Sequence, residues 1–123
     1  MMAPNNVACW FEIPVTDLKK SKAFYEAVLQ TKLTDQEMGP NMTAVFPTAD
    51  QQGVGGHLYE GKPASQGAGN TIHLVAPDSK LEETVARVEP AGGKVISPPI
   101  PIPAGRFCYI LDPDGNSIGL FAA

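Results

Sequence analysis

An α+β fold made of two copies of a strand-helix-three-strand unit, βαβββ, is predicted by three features of this sequence. Apolar residues alternate along one segment that runs straight into an apolar helical stripe, the same order returns in the second half of the chain, and turn residues cut the remainder into short extended pieces. The 123 residues fit one domain, 1–123, able to bury roughly two thirds of the surface of its unfolded chain. The first unit is expected over 7–60 and the second over 70–122.

From Val7 to Val15 the odd positions Val7, Cys9, Phe11, Ile13 and Val15 are all apolar, while the even ones are Ala8, Trp10, Glu12 and Pro14. That is a strand whose odd face lies under a helix and whose even face meets something partly polar. Asp17 then caps a helix to about Gln30, with Leu18, Phe24, Tyr25, Val28 and Leu29 as its apolar stripe. Three extended segments follow, at about Lys32 to Met38, Met42 to Thr48 and Gly53 to Glu60. Gly39-Pro40-Asn41 and Ala49-Asp50-Gln51-Gln52 separate them as turns. Gly55-Gly56 within the last marks a bulge or a close approach of another chain segment, since no helix start follows it. Residues 61–69 show no periodicity and form a linker.

The order then repeats. Asn70 to Ala76 is strand-like, Asp78 is expected to cap a helix carrying Leu81, Val85 and Val88, and Pro90-Ala91-Gly92-Gly93 ends it. A short strand at Lys94 to Ile96 leads into Pro98-Pro99-Ile100-Pro101-Ile102-Pro103, extended but unable to donate at its prolines. Arg106 to Leu111 and Ser117 to Ala122 form a hairpin around Asp112-Pro113-Asp114-Gly115-Asn116. Superposing Asp17 on Asp78 sets Phe11 against Ile72, Ile13 against Leu74, Trp10 against Thr71 and Glu12 against His73, so apolar falls on apolar.

Hydrophobic residues at 43% and charged residues at 18% are ordinary globular composition and exclude a disordered chain. The net charge of −4, with Lys19, Lys20 and Lys22 as the one basic cluster and Glu26 beside it, excludes nucleic acid as the expected partner. No run approaches membrane-span length and residues 1–6 have no signal-like pattern, so no membrane partner is expected and the cytoplasm is the expected location. There Cys9 and Cys108, each in an apolar run, read as small buried hydrophobes.

Val15-Thr16-Asp17-Leu18 with Phe24-Tyr25, Gly92-Gly93-Lys94 and the Asp-Pro-Asp-Gly turn resemble the vicinal oxygen chelate superfamily, which includes glyoxalase I, the bleomycin resistance proteins and the extradiol dioxygenases. The resemblance runs from about Val7 to Phe121 and is closest to a group of small glyoxalase-like members. It implies a mixed sheet curved into a cup, helices on the outside, a small-molecule site in the concavity, and a homodimer.

Metal-using members take ligands from the first and fourth strands of each unit. Carried over by motif and by the internal repeat, those positions are Trp10, His57, Thr71 and Gly119. One of the four is a metal-ligand residue type, so the resemblance implies small-molecule binding without the metal and no other cofactor. The alternative is a metal-dependent lyase, isomerase or dioxygenase that holds Fe, Zn, Ni or Mn on a displaced set, Glu12, His57 and His73, which share the predicted cavity face. Glu12 is also a candidate general base, its pKa raised by burial, or else a structural carboxylate with His73 as partner. Trp10, Tyr59 and Phe121 form either core or a stacking wall for a ligand; Tyr109 and Arg106 on the penultimate strand are candidates to reach an anionic one, though Arg106, near its strand end, is read first as solvent-facing. Sequestration of a drug, as in bleomycin resistance, is a further alternative.

Overall fold

The computed structural model describes residues 2–123. In the first unit, β1 (Trp10–Val15) leads through Asp17 into α1 (Leu18–Leu29), followed by β2 (Thr34–Met38), β3 (Asn41–Val45) and β4 (Gly55–Glu60). The second unit comprises β5 (Ile72–Val75), α2 (Leu81–Ala86), β6 (Lys94–Val95), β7 (Ile100–Ile102), β8 (Gly105–Leu111) and β9 (Ser117–Ala122). The first sheet has the order β1-β4-β3-β2 and the second β5-β9-β8-β6, with β7 pairing β8 beyond β6. First and last strands pair in parallel in each unit, β1 with β4 and β5 with β9, while the other pairs are antiparallel. The predicted pair of units in one α+β fold, with its curved sheet left open, is therefore the observed architecture.

The alternation in β1 does what it predicts. Ile13 and Val15 are buried with Phe24, Tyr25 and Val28 of α1 and Leu58 of β4, whereas Trp10 and Glu12 stay exposed on the opposite face. Asp17, in extended conformation, accepts from the Lys20 amide at 3.1 Å and starts α1, and Gln30 ends it in the left-handed region. From the second unit, Leu74, Leu81, Val88, Cys108, Ile110, Ile118 and Leu120 join the same core.

The two units are tied where their motifs meet. The buried Tyr25 hydroxyl donates to Asp112 Oδ2 at 2.7 Å, and Asp112 also accepts from Asn116 Nδ2 and from the amides of Asp114 and Asn116. Gly115 in this turn has φ +84°, where a glycine is needed. The Gly55-Gly56 pair marks a close approach, as expected: a Cβ on Gly56 would collide with the carbonyl and ring of Phe11.

Two expectations are corrected. Cys9 is exposed, because β1 begins at Trp10, opposite the first residue of β4, and the preceding residues have no strand beside them; Cys108 is buried as expected. Asp78 does not cap α2. It has φ +57° within a tight turn that begins at Pro77, whereas a capping residue needs extended backbone, and Lys80 precedes the helix without a side-chain cap. As expected, the second strand of the second unit is short, β6, and the proline-rich stretch after it is extended, pairing with β8 again as β7 past Pro98 and Pro99.

Candidate functional site

Parallel pairing of β1 with β4 sets Trp10 opposite Gly55, Glu12 opposite His57 and Pro14 opposite Tyr59, all on the face away from the helices. His57 is buried there between two neighbours from β1. Trp10 Nε1 lies 2.8 Å from His57 Nδ1, and His57 Nε2 lies 3.2 Å from Glu12 Oε1. An indole nitrogen can only donate, so Nδ1 is the accepting nitrogen and the ring proton sits on Nε2, facing the carboxylate. The imidazole is thus neutral, with one nitrogen turned to each partner.

The side chain of Glu12 is 62% exposed, against 8% for His57. The burial that a desolvated general base requires is therefore not met, and its histidine partner is His57, not His73. His73 lies opposite Gly119 on the equivalent face of the second sheet. Its ring occupies the space above that glycine, where a Cβ on Gly119 would collide with it, and it meets Phe107 and Tyr109 edge-on, with centroids 5.0 and 6.1 Å away. The expected grouping of Glu12, His57 and His73 is not formed: among the described residues no three His, Cys, Asp or Glu side chains come together as a metal site would need.

The remaining candidates fall into place around these two strands. Thr71 and Ser117 hydroxyls are hydrogen-bonded to each other. Tyr59 meets the His57 ring edge-on, while Phe121, opposite Phe107, and Tyr109, opposite Gly119, lie on the open face of the second sheet. Arg106 does not join Tyr109. Three residues away along β8, it points to the helix side and binds both oxygens of Glu82 on α2, which holds that carboxyl down at about 2.

Between the units lies an open groove of about 530 Å³, with Trp10, Glu12 and Tyr59 on one side and Asn70, Asn116 and Ser117 on the other. The latter three were missed in the sequence because they sit at the edges of strands and turns, Asn70 just before β5, Asn116 at the end of the last turn and Ser117 at the start of β9, where polarity reads as solvent exposure. The signal was the linker itself, which has to cross from the end of β4 to the start of β5; Gly67 fastens it to the carbonyl of Gly115 at 3.0 Å.

Residues 8–120 match the model of the Glyoxalase/Bleomycin resistance protein/Dioxygenase superfamily, and the chain belongs to that family. It is 31% identical over 107 residues to CFP32, an inferred glyoxylase of Mycobacterium bovis; the match covers 86% of this chain but only 40% of that protein. A glyoxalase/bleomycin resistance protein from Albidiferax ferrireducens superposes with TM-score 0.74 at 22% identity, covering 94% of this chain and 98% of that one. Glyoxalase I from Zea mays superposes with TM-score 0.70 at 23% identity over 93% of this chain and 45% of its own. The fosfomycin resistance protein FosX from Mesorhizobium loti gives TM-score 0.66 at 17% identity, covering 98% and 94%. These superpositions establish a shared fold.

The residues at the four ligand positions implied by the family do not fit a divalent ion. Trp10 and Gly119 bring no ligand atom, the Thr71 hydroxyl is bonded to Ser117, and both nitrogens of His57 face side chains of β1.

Proposed function

We propose that this chain binds a small organic molecule in the groove between its two units, through its own side chains and without the metal used by other members of the family. The observation that carries this reading is the placement of His57 between Trp10 and Glu12. The one histidine at an inherited ligand position already has its lone pair on an indole N–H and its proton toward a carboxylate. A metal would have to take Nδ1 from the Trp10 N–H or replace the proton that Nε2 turns to Glu12, and would then find no second inherited ligand beside it.

Trp10 is the sole tryptophan and lines the groove, so its emission reports occupancy directly. A small-molecule panel titrated against protein stripped with chelator, and against protein supplied with iron, zinc, nickel or manganese, tests the reading. Responses that saturate and do not differ between the two preparations support it. Ligand responses that appear only after metal is supplied would overturn it.

We also propose a homodimer. On the open faces of the two sheets Val75 is 73% exposed, Trp10 44% and Tyr109 36%, apolar side chains that a second copy would cover. Light scattering at micromolar concentration checks this, twice the 13.0 kDa chain mass being expected.

A further inference from the structure

Resting on the proposed groove site, the chemistry of its walls points to a class of ligand: we infer that the groove selects a small organic cation, an ammonium group on an apolar or aromatic body. Glu12 is the one ionisable acid or base of Asp, Glu, Lys, Arg or His type along the groove, whose aromatic walls are Trp10 and Tyr59. Among the described residues no lysine or arginine pairs with Glu12. The partner at its Oε1 is His57, which the Trp10 N–H holds neutral, so the carboxylate keeps a full negative charge while being fixed in position from one side. The second oxygen is left to a ligand.

On the polar side of the groove, Asn116 has the same preference. The side-chain nitrogen of Asn116 is spent on the Pro14 carbonyl at 2.8 Å and on Asp112 at 2.9 Å, so what Asn116 still offers is its carbonyl oxygen, an acceptor. No lysine or arginine lines the groove, which leaves an anionic ligand no cationic side chain to pair with. Aromatic faces beside a carboxylate attract an organic cation twice, through the ring quadrupole and through charge. A bare divalent ion is not an equivalent occupant, because it needs several oxygen ligands where one carboxylate stands.

The test uses three probes of one shape and different charge: 2-phenylethylamine, protonated at neutral pH, 2-phenylethanol and 3-phenylpropionate. Binding is followed by Trp10 emission and checked by calorimetry on the full chain. The amine is expected to bind about tenfold tighter than the alcohol, the sum of one exposed ion pair and one cation–π contact. The preference is expected to shrink as salt is raised, and to fall to the cation–π share, about threefold, in Glu12→Gln, which keeps an acceptor oxygen for His57 but no charge. Equal or tighter binding of the alcohol or the propionate, or a preference unchanged in Glu12→Gln, overturns the cation assignment while leaving the groove as a binding site. Absence of binding by all three probes overturns the cation assignment as well. A groove that answers only once metal is supplied would remove the underlying site reading instead.

Discussion

The indole N–H of Trp10 donates to Nδ1 of His57 over 2.8 Å, linking the two positions of the first unit at which the family resemblance implies metal ligands. The residue at one implied position is thus the hydrogen-bond donor to the residue at the other. The first consequence concerns the tautomer. At neutral pH, nitrogen-15 spectra are expected to show His57 with a pyridine-like Nδ1 and a protonated Nε2, and the chain has only one other histidine, His73, to be told apart from it. Trp10→Phe removes the donor, so the Nδ1 signal should shift and the fixed tautomer should be lost. An Nδ1-protonated His57 in the unaltered protein would contradict the arrangement.

Tyr25 and Asp112 join α1 to the last hairpin inside the core. Burial, reinforced by the Asp112 carboxylate, pushes the Tyr25 hydroxyl well above its ordinary 10.0. A raised acid means that the folded state favours the protonated form, so this contribution is complete below pH 10.0 and is lost as pH rises beyond it. Tyr25→Phe should cost about 1–3 kcal/mol at neutral pH in urea denaturation and should lose stability less steeply in alkali.

At the acid end, Arg106 beside Glu82 holds that carboxyl at about 2, below its ordinary 4.5. Here the folded state favours the ionised form. The contribution is complete above pH 4.5 and is lost as pH falls from there toward 2. The melting temperature of Glu82→Gln should therefore fall less between those two pH values than that of the unaltered protein.

Two glycines differ in what crowds them. Gly56 faces the backbone carbonyl and ring of Phe11, neither free to move, so Gly56→Ala should cost about 1–3 kcal/mol. Gly119 faces the exposed ring of His73, which is able to swing aside. Gly119→Ala should cost less, and that cost should disappear in a His73→Ala background, as a double-mutant cycle would show.

The sequence made the elements legible where local chemistry decides them. Alternation in β1 placed Glu12 on the open face, Asp17 announced α1, and the Asp-Pro-Asp-Gly turn placed the last hairpin. The wiring between elements was not legible. Glu12 pairs with His57 because of the parallel register of β1 on β4, which neither strand carries by itself. His73 was drawn to Glu12 by the internal repeat, but the repeat makes them equivalent, and equivalent residues of two units lie on different sheets. Asp78 resembled Asp17 in spacing alone; Pro77 opens a tight turn there and delays the helix to Leu81. Arg106 and Tyr109, three apart on one strand, point to opposite faces by the period of the strand itself.

The metal content of untagged protein, purified without chelator and then incubated with iron, zinc, nickel and manganese, tests the central claim most directly. Elemental mass spectrometry should find metal far below one equivalent per chain, unchanged in Glu12→Ala. Near-stoichiometric metal that is lost in Glu12→Ala would contradict the reading of His57 as already engaged and make Glu12 and His57 a metal centre.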